Sequence, residues 1–106
     1  MPKYLIEASY VGEGIKGLLR EGGSKRREAV EQAMKSMGGK VEAMYYLFGG
    51  VDVIIIVDLP DNLTATAGSL IANSSGVVNV KYSALLTPEE IDQATKKAIE
   101  YRPPGK

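Results

Sequence analysis

The chain contains neither cysteine nor histidine. Without cysteine there is no disulfide, no thiolate nucleophile and no thiolate metal site. Without histidine there is no general base with an ordinary pKa near neutrality, and the commonest metal ligand is missing. Zinc-type chemistry, Ser-His-Asp triads and Cys-His pairs are therefore excluded within one chain. Carboxylates, lysine, arginine, tyrosine, hydroxyls and amides remain. Charge of either sign is not in excess, since 13 basic and 13 acidic residues cancel. That balance leaves no footprint for nucleic acid or an anionic membrane, and neither is expected as a partner. No apolar run approaches the roughly 18–20 residues of a membrane span. The opening Met1-Pro-Lys-Tyr-Leu-Ile-Glu7 leads into a strand and lacks a signal peptide's apolar region, so a cytoplasmic location is expected. No loop shows the ligand spacing of calcium or magnesium sites, and no metal or other cofactor is expected.

What is present is richest between Tyr45 and Asp61. Two apolar runs flank Gly49-Gly50, a hairpin signal because both glycines accept positive φ at no steric cost. Val51 to Leu59 then reads as a long strand, stopped at Pro60, with Asp61 capping a helix to about Ser74. Leu63, Ala67, Leu70 and Ile71 are the expected buried side of that helix. Upstream, Lys3 to Tyr10 alternates as a strand with unlike faces. Val11 to Gly38 reads as helix broken at Gly22-Gly23, because two glycines inside a helix cost about 1 kcal/mol each relative to alanine. Ser24 is the expected cap of its second half, which would bury Ala29, Val30, Ala33, Met34 and Met37, with Gly38 or Gly39 ending it. Lys40 to Phe48 is a further strand, and Gly76 precedes another, Val77 to Leu86. Thr87-Pro-Glu-Glu90 is a capping box opening a last helix with Ile91, Ala94, Ala98 and Ile99.

Strand, helix, strand, strand, helix, strand, with a terminal helix, is the split β-α-β order of an α+β, ferredoxin-like βαββαβ sandwich on a four-stranded antiparallel sheet. One domain over residues 1–100 and a tail over 101–106 are expected. The helices of such a fold cover one face of the sheet. Alternation sends Ile6, Ala8, Val53, Ile55, Val57, Leu59, Val78, Val80, Tyr82 and Ala84 to that face. Leu5, Glu7, Ser9, Asp52, Ile54, Ile56, Asp58 and Lys81 go to the open one, with Val77, Asn79, Ser83 and Leu85. The second strand is ambiguous. If Val41, Ala43, Tyr45 and Leu47 point inward, then Glu42, Met44, Tyr46 and Phe48 point outward. An open face this apolar marks an interface. A homodimer, or a dimer of dimers, packed through it is the expected partner arrangement.

The element order, Gly49-Gly-Val-Asp52, Pro60-Asp61 and Leu86-Thr-Pro-Glu-Glu90 together resemble the GYD domain family. Tyr10 followed by Gly14-Ile-Lys16, and the Gly38-Gly39 pair, fit as well, and the similarity runs from about Pro2 to Thr95. In the signature that names the family, Gly49 matches the glycine and Asp52 the aspartate, while Val51 stands at the tyrosine position. The resemblance implies a dimeric α/β-barrel relative and no established activity.

Five residues are candidates for ligand binding: Glu7, Tyr10, Tyr46, Asp52 and Lys81. No catalytic residue is assigned. Asp52 is either a carboxylate at a pocket mouth or, more commonly, a hairpin aspartate bonding the backbone. Glu7 and Lys81, on neighbouring strands, form a proton-transfer pair or an ordinary ion pair, the latter being the more frequent. Tyrosines here orient an oxygenated ligand or, more often, pack with the hydroxyl on one partner. Lys25-Arg26-Arg27 reads as a solvated charge run rather than a phosphate site. Gly12-Glu-Gly-Ile-Lys-Gly17 lacks the ending of a phosphate loop. The expected ligand space is the edge of the open face, the helix-covered side being closed by core, with Val11 to Ser24 as a glycine-rich lid. A small-molecule-binding or interaction module for an apolar or aromatic ligand fits these features. A cofactor-free isomerase, decarboxylase or oxygenase and a structural subunit are the alternatives.

Overall fold

The computed structural model describes residues 1–47 and 49–106. Phe48, assigned above to the end of a strand and to the open face, lies outside the described residues. The elements follow as β1 (Lys3–Tyr10), α1 (Glu13–Ser36), β2 (Lys40–Tyr46), β3 (Val53–Asp58), α2 (Asn62–Ser74), β4 (Val78–Leu85) and α3 (Pro88–Thr95). The sheet has four antiparallel strands in the order β2-β3-β1-β4. This is the ferredoxin-like α+β fold, with α3 added after β4.

Local chemistry explains most boundaries. Gly49 and Gly50 turn the chain between β2 and β3 with φ of 79° and 87°, and the Leu47 amide closes the connection on the Asp52 carbonyl at 3.0 Å. Asp61 Oδ1 accepts from the Thr64 amide at 2.8 Å to cap α2. Thr87 and Glu90 form the reciprocal capping box at α3. In α1 the expected break is a kink at Gly22 (φ 81°, ψ 170°) within one run of helix. Most of the Val11–Ser24 segment is therefore helix rather than a loose connection. Gly14 seats it directly on the Val77 backbone, where a Cβ would collide with the carbonyl oxygen.

The buried core is Tyr4, Ile6, Ala8, Val53, Ile55, Val57, Leu59, Met34 and Ala65. The inward sets of β1 and β3 thus face the helices as their alternation requires. In β2 a register irregularity between Val41 and Ala43 inserts one residue, Glu42. Side-chain parity changes there, because a bulge breaks the period of two. Val41, Met44 and Tyr46 consequently share the helix face with Val57, Ile55 and Val53, and Ala43 and Tyr45 share the open face with Ile56 and Ile54. The outward placement of Met44 and Tyr46 and the inward placement of Ala43 and Tyr45 are corrected.

The two helices stand over opposite edges. α1 packs on β2 and α2 on β4, with little or no contact between the helices. α2 does not bury the expected side. Leu63, Leu70 and Ile71 are 81%, 67% and 72% exposed, while Ala65 is buried and Gly68 and Ala72 are half-buried. Small residues at i, i+3 and i+7 let the helix lie close to the sheet. A Cβ on Gly68 would stand 3.0 Å from Met37 Sδ and 3.1 Å from the Tyr82 hydroxyl.

From Ser83 onward every residue is exposed. α3 makes at most marginal contact with the other elements. The radius of gyration is 16.7 Å, against about 13 Å for a compact chain of this length. The C-terminal segment therefore projects from the sandwich as an arm, leaving Ile91, Ile99 and Tyr101 uncovered.

Candidate functional site

Because α1 and α2 sit over the edge strands, a gap runs between them above the covered centre of the sheet. The gap is a groove of about 360 Å³ whose floor is Ile6, Ala8, Val53 and Ile55, with walls including Val30, Met34 and Ala72. The floor is covered as expected, with Ile6, Val53, Ile55 and the wall residue Met34 each no more than 5% exposed, and the expected closure fails at Leu70 and Ile71, which are exposed. α2 contributes alanine and glycine at its sheet-facing positions and holds its large residues outward.

One end of the groove is polar. Arg26, on the sheet-facing side of α1 past the kink, and Tyr10, at the end of β1, both line it. Arg26 is half-buried, whereas its neighbours Lys25 and Arg27 are exposed, as a helical turn of about 100° per residue requires. Its Nη1 approaches Glu21 Oε2 at 3.6 Å, and its Nε is buried with no hydrogen-bond partner among the described residues. Tyr46 stands beside Tyr10. Burial pushes the Tyr46 phenol well above the ordinary tyrosine range, and its hydrogen bond with Tyr10 adds to the shift. The ring of Tyr46 rests on Gly23, where a Cβ would lie 3.3 Å from Cε2. At the sheet end of the groove Tyr82 is also held above its ordinary value by burial.

Asp52 reaches the same region through the backbone. Its Oδ2 accepts from the Tyr10 amide at 2.8 Å, and it lines a recess of about 410 Å³ with Ile15, Leu18, Gly23 and Tyr46. That bond is the structural role considered for a hairpin aspartate. It also anchors the residue that carries the Tyr10 phenol.

Tyr10, Tyr46 and Asp52 are thus gathered at the kink of α1. Glu7 and Lys81 are not. They are cross-strand neighbours on the open face, in one row with Ile54 and Tyr45. No salt bridge joins them among the described residues. The charge network on that face is elsewhere: Lys3 Nζ binds Glu42 Oε1 at 2.6 Å and the buried Asp58 Oδ1 at 2.9 Å.

Arg26 was not among the candidates. Its signal was the basic run 25–27, whose spacing alone does not say which of three side chains turns inward. Among the described residues no group of three carboxylates is placed to hold a metal ion. No helix among them is long and apolar enough to cross a membrane.

Fold and site together define a ferredoxin-like domain with an interhelical groove. The model of the GYD domain family matches residues 4–95, so this chain belongs to the GYD domain family. No curated protein matches it. Among solved structures it is similar to the NE2512 protein of unknown function from Nitrosomonas europaea. The identity is 17% over 81% of this chain and 90% of that one, with a TM-score of 0.37.

Proposed function

We propose that this GYD domain is a small-molecule-binding module that takes an apolar or aromatic ligand in the groove between α1 and α2. The observation that carries the reading is the groove itself: about 360 Å³ over the sheet centre, with an apolar floor and a few convergent polar groups at one end. Ligand sites are commonly concave, mostly apolar and furnished with a small number of polar contacts. Tyr10 lines the groove and is its proposed ligand contact, while Tyr46 lines the neighbouring recess with Asp52. Asp52 supports Tyr10, and Glu7 and Lys81 belong to the opposite face.

The neutral dye Nile red tests this. Its emission should rise and shift to the blue with wild-type protein. Ala29→Trp, which places an indole at the groove wall, should abolish the response, whereas Leu5→Gln on the open face should leave it. Equal responses from all three proteins would refute the groove as the site.

The second copy of the chain is the proposed cover of the open face. Leu5, Ile54 and Ile56 on the central strands are only half-buried, and Val77 and Leu85 are 36% and 37% exposed. Burying such a patch against its own copy removes apolar surface from water on both partners.

A further inference from the structure

We infer that the groove's ligand is a monoanionic amphipathic acid, its carboxylate held at the Arg26–Tyr10 end and its apolar body lying along the floor. This rests on the groove being the ligand site and adds the chemical class. Arg26 is the one charged side chain among the residues lining the groove. Its donors are largely unspent. The contact to Glu21, at 3.6 Å, is longer than a hydrogen bond, and Nε has no partner among the described residues.

A guanidinium presents its N–H groups as a planar fork that matches a carboxylate. A carboxylate at this end of the groove would meet that fork where Arg26 lines it. The Tyr10 phenol lines the same end and can donate a further hydrogen bond. Tyr10 is itself held in place by its backbone amide, which donates to Asp52 Oδ2 at 2.8 Å. The rest of the lining is too apolar for a second charge.

Charge limits the head group. Glu21 shares the recess beyond this end with Tyr10 and Arg26, so one guanidinium already faces one protein carboxylate. Lys25 and Arg27 are exposed and turned away. A phosphate dianion would find no second cation, whereas a single carboxylate need only displace the long Glu21 contact.

The test compares 1-naphthaleneacetic acid with its neutral amide, an isostere of the same ring system, by naphthalene fluorescence. 1-Naphthyl phosphate serves as the dianion. The acid should bind wild-type protein about tenfold or more tighter than the amide, the range of a charge-assisted hydrogen bond. Arg26→Met should erase the difference in affinity between the acid and the amide. Arg26→Lys should keep part of the difference, and Tyr10→Phe should weaken the acid several-fold. Circular dichroism verifies folding of each variant, and Tyr10→Phe and Arg26→Lys carry the test if Arg26→Met does not fold. Equal binding of acid and amide, undiminished preference in the Arg26 variants, or tighter binding of the phosphate than the acid would each overturn the acid assignment while leaving the groove standing. Failure of both acid and amide to bind would overturn the assignment and the groove together.

Discussion

Gly39 lies directly against the backbone of Asp58. A Cβ at Gly39 would collide with the Asp58 carbonyl oxygen and stand 2.8 Å from Leu59 Cδ2. The start of β2 depends on this approach, because Lys40 pairs with Asp58 in the register. Gly39→Ala should therefore destabilise the protein by about 2–4 kcal/mol, the range for overpacking against a backbone that cannot give way. Gly38, at φ 80°, faces only the conformational penalty, so Gly38→Ala should cost about 1–2 kcal/mol. Urea unfolding of both variants measures the difference. A Gly39→Ala protein as stable as wild type would show that the two strands do not meet in this register.

Lys3 and Asp58 should make stability depend on pH at both extremes. The Lys3 ammonium hydrogen-bonds Asp58 and holds its carboxyl below the usual aspartate range. Glu42, then Asp58, hold Lys3 above the usual lysine range. A carboxylate with a depressed folded pKa contributes stability that is present above its unfolded pKa of about 4 and is lost as pH falls through the folded value. A lysine with a raised folded pKa contributes stability that is complete below its unfolded pKa of about 10.4 and is lost as pH rises through the folded value. Asp58→Asn should lower stability at neutral pH and flatten its decline below pH about 4, read from urea midpoints across pH. An unchanged acid limb would mean that Asp58 does not carry it.

Ile54 is the central test of the proposed dimer. It lies at mid-strand in β3, paired with Glu7 on one side and Tyr45 on the other. Ile54→Lys should convert dimer to monomer at micromolar concentration in light scattering. A lysine there must be desolvated between two sheets, a cost that its cross-strand neighbour Glu7 offsets only in part. A wild-type protein that is itself monomeric at that concentration would remove the proposal.

The arm gives the opposite kind of prediction. Residues 87–106 are all exposed, so deleting them should shift the thermal midpoint by no more than about 2 °C, the scale of a few tenths of a kcal/mol in a domain this small. Scanning calorimetry of the truncated chain checks it. A loss of 10 °C or so would show that the arm is packed in solution.

The order of elements, the caps of α2 and α3, the Gly49-Gly50 turn and the sets of β1 and β3 that face the core were determined by the sequence alone. Each depends on neighbours along the chain. Asp61 needs only Thr64, Thr87 needs only Glu90, and Gly49-Gly50 need only their own freedom at positive φ. Ser24, by contrast, expected to cap a second helix, lies within α1, whose N-terminus at Gly12 has no side-chain cap. The candidate site was partly legible, since Tyr10, Tyr46 and Asp52 meet at one place. The side of the sheet on which they meet was not. Side-chain direction in β2 turns on one inserted residue, Glu42, and a bulge is a property of two paired strands, invisible in either alone. The face that α2 buries was likewise decided by approach distance. Alanine and glycine win the sheet side because they let the backbone come close, although hydrophobic periodicity favours the leucines. Only the tertiary structure decided that α1 and α2 would part over the sheet centre, and that Arg26 rather than Lys25 or Arg27 would stand at the end of the gap. Those outcomes depend on how rigid elements settle against one another, and no local pattern records that balance.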